Sequence, residues 1–312
     1  MHGKIKKERR GHMKMITAFK KGFLLGFILL WTSLSLAFAG NEQCLVSFKP
    51  EPSSLFQGGI AKIEFKVAND CLLKRISFGQ KTVPFKQDEK TKEFVALVGV
   101  GLKEKEKKKP ITFYFLKNGT HFKVSKDIPI KKKQYKAEYL KVKKKMVSFS
   151  KNTLKRVLDD QKALREVCSK IRPVIYWQGG FIWPIKSKIL SPFGLRRYFN
   201  GQPRSPHSGI DLRAKENTPI KSPNHGLVVL VRNCYLSGNT VVIDHGGGLY
   251  TLYAHLSKVK VKQGQMVDKG QIIGFSGSTG RITGPHLHWG VSLLGQRVDP
   301  AMLMQLLGDD TV

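Results

Sequence analysis

Gly284 to Gly290 reads GPHLHWG, with two histidines standing two residues apart. Side chains at that spacing point the same way only on an extended strand. His286 and His288 therefore predict a strand with both imidazoles on one face, reached through a turn at Gly284-Pro285 and left at Trp289-Gly290. Neutral imidazole is the commonest protein metal ligand, and a second imidazole beside a metal can move protons. Two histidines that merely share a half-buried strand would give the same pattern, so the motif needs partners elsewhere in the chain.

Two further stretches supply them: His207-Ser208-Gly209-Ile210-Asp211 and Tyr253-Ala254-His255-Leu256-Ser257. Zinc binds His nitrogen and Asp oxygen at about 2.0–2.2 Å, and a hydrolytic site keeps three protein ligands plus a water. Two histidines and one aspartate fill that quota and leave two histidines over. The spacing of His207 and Asp211 suits one face of a helix. Pro203, Pro206 and Gly209 argue instead for a loop that delivers His207 and a strand that carries Asp211, bent at the glycine.

HSGIDL, YAHLS and GSTGRITGPHLHW resemble the lysostaphin-type zinc endopeptidases, bacterial enzymes that cut peptide bonds in peptidoglycan. The similarity runs from Trp177 to Leu307 and includes SPFGLRRYFNGQP and IDHGGGLYTLYAHLS. It implies that His207, Asp211 and His288 bind one zinc ion per chain, and that His255 and His286 are a catalytic pair outside the metal's ligands. Spacing alone does not separate His286 from His288 as the ligand. The implied substrate is the peptide cross-link of the cell wall, with the bond from D-Ala to diaminopimelate favoured over a glycine-rich bridge. Relatives of the family that lost zinc ligands bind the wall and activate other hydrolases. That non-catalytic role is the alternative, as is a basic scaffold that binds an anionic polymer, but all five motif residues are present here.

The expected chemistry is amide hydrolysis by a zinc-activated water. One free imidazole serves as acid and base, and the other stabilises the oxyanion. The H-E-x-x-H pattern of other metallopeptidases is absent. Asn200 and Arg204, in the loop ahead of His207, are candidate substrate contacts because both can bond a peptide backbone or carboxylate. His225, His245, Asp244 and Asp299 read as structural.

A chain of 312 residues has room for two domains, and the expected fold is mainly β. Residues 40–145 alternate short apolar runs with turn signals, such as Ala61 to Val67 and Ile111 to Phe115, and predict a small β-sandwich. Residues 146–172 predict a connecting helix capped at Ser150 or Asn152, with Leu154, Val157, Leu158, Leu164, Val167 or Cys168, and Ile171 on one stripe. Residues 173–312 return to glycine-punctuated strands, which predict a barrel-sandwich of the duplicated-hybrid type. A carrier domain of the lipoyl or biotinyl kind shares such turns, but the flanks of Lys269 lack a carrier's sequence.

Residues 1–39 combine a basic start, an apolar run from Phe23 to Leu36 and small residues at Ala37 and Ala39. They predict an export signal cleaved after Ala39, with an uncleaved inner-membrane anchor as the alternative. Export to the periplasm or cell envelope excludes nucleic acid as the partner for a net charge of +33 and leaves anionic envelope polymers or lipid. Sixteen lysines against four acids between Lys103 and Lys145 put +12 of that charge in one segment. Export also permits disulfides, and Cys44 with Cys71 is the favoured pair; four reduced cysteines are the alternative.

Overall fold

The computed structural model describes residues 44–88, 91–141, 149–282 and 284–309. The export signal expected in residues 1–39 lies outside them. No helix among the described residues is long and apolar enough to cross a membrane.

Two sheets form the first half. One orders β1 (Leu45–Glu51), β3 (Ile60–Val67), β7 (Phe94–Gly99) and β6 (Phe85–Gln87). The other orders β2 (Leu55–Phe56), β9 (Thr120–Lys131), β8 (Lys108–Lys117), β4 (Leu72–Phe78) and β5 (Lys81–Thr82). Alternation makes each sheet apolar on one side, burying Ile63 and Phe65 on β3 and Ile111, Phe113 and Phe115 on β8. Phe65 meets Phe113 edge to face at 5.0 Å, and Phe48 of β1 meets the same ring at 6.0 Å. This is the sheet-on-sheet packing the alternating runs predict. Cys44 and Cys71 are disulfide-bonded, whereas Cys168 and Cys234 are free and buried.

Helix α1 (Lys151–Ser169) begins where expected, with Ser150 Oγ accepting from Thr153 N at 3.2 Å. Its buried face follows the apolar stripe in part: Val157 and Cys168 are buried, and Leu164 and Val167 pack against the second half. Leu154 and Leu158 are exposed, and the anchor is an acid, Asp160, which is only 4 % exposed. Its carboxylate accepts from Arg232 Nε at 2.6 Å and from Tyr235 N at 2.8 Å. A paired charge can be buried where an unpaired one cannot, so this salt bridge adds a polar anchor to the helix's apolar contacts.

The second half is built on one sheet ordered β11 (Ile189–Ser191), β14 (Ile210–Arg213), β21 (His286–Leu293), β18 (Leu249–Val259), β17 (Gly238–Gly246), β16 (Gly226–Cys234) and β19 (Met266–Val267). β15 (Pro219–Lys221) and β20 (Ile272–Ser276) pair with each other, and β20 also pairs with β18. A final helix α2 (Pro300–Leu307) is capped by Asp299, whose Oδ1 accepts from Ala301 N at 3.0 Å. Both halves feed one continuous apolar core.

One element was not expected. The lysine-rich end of the first half contributes β10 (Ala137–Leu140), which pairs in parallel with β12 (Arg196–Phe199), itself hairpinned to β13 (Gln202–Pro203). β10 is only four residues long and is set among lysines, too short a run for a period-two pattern to announce it.

His245 shows how this interior treats a buried imidazole. It is fully buried, with its ring nitrogens 2.8 Å from His225 O and from Thr251 Oγ1. Burial lowers its pKa to about 4. The unfolded chain therefore binds more protons between that value and about 6.5, and folding stability must fall with pH through this window. Urea denaturation at pH 7 and pH 4.5 is expected to show His245→Gln losing about 2 kcal/mol less than the wild type; equal losses would mean that His245 does not carry this linkage.

Candidate metal centre

β21 lies between β14 and β18, and its register sets the site. His288 stands opposite Asp211 on one side and Ala254 on the other. His286 is two residues earlier, opposite Arg213, so both imidazoles share a face as their spacing requires. His207 arrives from the loop ahead of β14 and Asp211 sits on the strand, which decides against the helical reading of that motif. The bend between them needs Gly209. A Cβ there would stand 2.4 Å from Trp289 O and 2.8 Å from the His288 ring.

Three donor atoms converge. His207 Nε2 is 3.0 Å from Asp211 Oδ1 and 3.0 Å from His288 Nδ1, and His288 Nδ1 is 2.9 Å from the same carboxylate oxygen. His207 and Asp211 are buried, and His288 nearly so. His207 Nδ1 lies 2.9 Å from Pro192 O, and a carbonyl can only accept, so the ring proton is on Nδ1 and Nε2 presents a lone pair. A lone pair on His207, a carboxylate oxygen and a second imidazole nitrogen thus meet in one buried place. While both rings are neutral, at most one proton, on His288 Nδ1, can be shared among them. A cation relieves that arrangement, and ligands on a tetrahedral zinc ion sit about 3.3 Å apart, close to the spacing seen.

Burial opposes ionisation of Asp211, yet the hydrogen bonds and charge that His207 and His288 supply when protonated hold its carboxyl well below the usual range. Burial also lowers the pKa of His288, against the pull of Asp211. A residue that sequence reasoning missed completes the surroundings. Arg197 Nη2 lies 2.9 Å from Ser191 Oγ and 3.4 Å from Asp211 Oδ2. Arg197 and Ser191 fall in a stretch read only for its resemblance, and no spacing rule links them to Asp211.

Two more imidazoles flank the triangle. The ring of His255 is 5.0 Å from that of His286 and 6.2 Å from that of His288, centre to centre. Each has its proton fixed on Nδ1 by a carbonyl at 2.9 Å, Thr279 O for His255 and Gly284 O for His286. Both therefore keep Nε2 as the basic atom, and His286 Nε2 lies 3.7 Å from Asp211 Oδ1. Burial lowers the pKa of His255 to about 4, against its bond to Thr279.

His255 reaches this position through an unusual backbone. β18 pairs with β21 as far as Ala254 and with β20 from Leu256 onward, so the strand forks at His255. There φ is +63°, the left-handed region that costs a non-glycine residue about 1–2 kcal/mol. Such an irregularity re-aims one side chain out of a ladder.

The candidate substrate contacts lie on the β12–β13 hairpin. Asn200 forms its tip with φ +52°, and Arg204 Nη2 lies 3.4 Å from Gln202 Oε1. The residues read as structural all have internal partners: His225 with Asp268, His245 as above, Asp244 with Gly246 N, and Asp299 at its cap.

The sequence profile of Peptidase family M23 matches residues 205–300. Peptidoglycan DD-endopeptidase ShyA of Vibrio cholerae is 46% identical over 120 residues, which cover 38% of this chain and 28% of that protein. DD-carboxypeptidase/endopeptidase Mpg of Neisseria meningitidis is 43% identical over 129 residues, or 41% of this chain and 30% of that protein. The chain thus spans less than a third of the length of these curated relatives. The crystal structure of a putative peptidase M23 from Pseudomonas aeruginosa superposes with a TM-score of 0.62 at 27% identity, covering 81% of this chain and 96% of that one.

The strain at His255 can be measured. Glycine relieves a positive φ and alanine does not, so thermal denaturation should find His255→Gly more stable than His255→Ala by about 1 kcal/mol. The usual ranking of the two residues in a strand is the reverse, and recovery of that usual order would remove the strain argument.

Proposed function

We propose that this chain, whose residues 205–300 form a domain of peptidase family M23, is a zinc-dependent endopeptidase that hydrolyses peptide cross-links of bacterial peptidoglycan. The observation that carries the reading is the convergence of His207, Asp211 and His288 beside two imidazoles whose protons are both held on Nδ1. The named activities of the relatives agree with it.

When bound, zinc lowers the pKa of water towards about 7 and polarises a carbonyl. The protein's own residues supply the rest. His207, Asp211 and His288 hold the ion, each through one atom facing the other two. His255 and His286 hold basic nitrogens beside it; one takes a proton from the attacking water and delivers it to the leaving amine, and the other stabilises negative charge on the carbonyl oxygen. The low pKa of His255 keeps it uncharged at neutral pH, as a proton acceptor must be. Asn200 and Arg204, on the adjoining hairpin, bind the stem peptide's backbone or carboxylates.

The favoured bond joins D-Ala to diaminopimelate. The protein acts in the periplasm or envelope after export by residues 1–39. Lys103, Lys105, Lys123, Lys132 and Lys136 are exposed, and this segment holds the enzyme to anionic polymer or lipid.

Mass spectrometry of cross-linked peptidoglycan incubated with the zinc-loaded protein is expected to find new uncross-linked muropeptides. His288→Ala and His255→Ala should each lower the yield by at least about a hundredfold. Product from both variants at wild-type rate would overturn the assignment of the site. Co-sedimentation with anionic vesicles is expected to fall steeply between low and about 0.5 M salt; binding indifferent to salt would remove the electrostatic reading of the lysines.

A further inference from the structure

The metal centre extends beyond residues 205–300. Asp211 shows two different environments to its two oxygens. Oδ1 faces His207 and His288, while Oδ2 faces Arg197 Nη2 at 3.4 Å. Arg197 is on β12, and its register partner across the parallel pairing is Glu138 of β10. Glu138 Oε2 stands 3.5 Å from Arg197 Nε. That Nε is buried without a hydrogen-bond partner, and the carboxylate sits just beyond bonding reach of it. Ser191 Oγ accepts from Nη2 at 2.9 Å on the other side. A single guanidinium thus links β10 of the first half, the end of β11 and a metal-facing carboxylate.

We infer that Arg197 is a positioning residue for the metal, holding Oδ2 of Asp211 so that Oδ1 alone faces the ion, and that Glu138 on β10 anchors it from the lysine-rich half of the chain. This rests on the metal reading given above. Two physical effects bear on it and only one is uniform in sign. A guanidinium near a dication repels it, so removing Arg197 would tighten binding if charge governed. Removing it also frees a carboxylate to rotate about its χ angles, and the partners that orient a metal ligand are worth about 10–100-fold in affinity when lost. Orientation governs here, because Glu138 already offsets the charge of Arg197. Glu138 acts in both ways at once. Without it, Arg197 loses an anchor and shows more of its charge to the ion.

The neighbouring contacts hold β10 in place. Arg196 Nε donates to Tyr135 O at 3.1 Å, and Tyr139 stacks on Tyr198 with ring centres 4.7 Å apart. Tyr135 lies against Phe193 and bonds Gln57 O, so the strand is tied back to the first sandwich. The dependence of the metal centre on β10 is therefore built into the wall next to the site.

The test is the affinity of the full chain for zinc, measured by competition with a chromophoric chelator, alongside the thermal midpoint of each metal-free protein. Arg197→Gln is expected to weaken zinc binding by about 10–100-fold. Arg197→Lys should not restore it, because a lone ammonium nitrogen cannot face Ser191 and Asp211 on one side and Glu138 on the other as the separate Nη2 and Nε of Arg197 do. Glu138→Gln should weaken binding by about three- to fivefold with an unchanged metal-free midpoint, since this pair is partly exposed. Glu51→Gln, which removes an ion pair to Lys62 in the first sandwich, should leave zinc affinity as it was. Wild-type affinity in Arg197→Gln, or restoration by lysine, overturns the inference while leaving the metal site intact. Losses matched by equal falls in the metal-free midpoint would reduce both residues to a structural role and overturn it too. A wild type that binds zinc but releases no muropeptide would sink the proposed function and not this inference; a wild type that binds none sinks both.

Discussion

Everything at the metal centre depends on one strand being held on both edges. β21 hydrogen-bonds to β14 and β18 along its length, and the ladder fixes which residue of each neighbour stands level with His288. A slip of one residue would turn both histidines to the other face. Buried Leu287, Trp289, Val291 and Leu293 resist such a slip, since it would bring some of these large side chains out of the core. The apolar residues thus set the register, and the register sets the chemistry.

The sheet alone does not finish the site. His207 comes from a loop, and its ring is held by Pro192 O in the segment after β11. His255 is carried where β18 changes partners, and its ring is held by Thr279 O in the loop before β21. The Thr279 hydroxyl in turn donates to Leu256 O and accepts from Asn239 N. His207 and His255 are therefore oriented by backbone carbonyls of two different loops. Carbonyls are fixed acceptors, so the protonation pattern of the rings is decided by backbone geometry.

The first half of the chain has two physical characters. Its sandwich is an ordinary apolar packing of phenylalanines, while its outer surface and its exit strand carry lysines. Parallel pairing through β10 brings this basic segment against the hairpin that precedes the metal ligands. Helix α1 holds the second half by a buried aspartate as well as by Leu164, Val167 and Cys168. In both places a polar pair joins the apolar packing where the halves meet, and hydrophobic patterning alone could not foresee those pairs.

Much of the protein was legible in its residues. The period-two spacing of His286 and His288 is enough to put both on one face, and Pro206 with Gly209 is enough to keep His207 and Asp211 off a helix. Alternating runs around Phe65 and Phe113 announce the sandwich, and Ser150 announces the helix start. These are local properties, carried by dihedral preferences and side-chain alternation within a few residues. The tertiary structure alone decided that the nitrogens of His207 and His288 and one oxygen of Asp211 meet within 3.0 Å, that His255 is turned by a left-handed residue, and that Arg197 and Glu138 stand behind the metal ligands. Those facts depend on contacts between residues as far as 81 positions apart. No local preference encodes such a distance, which is set when strands find their register and buried charges find their partners.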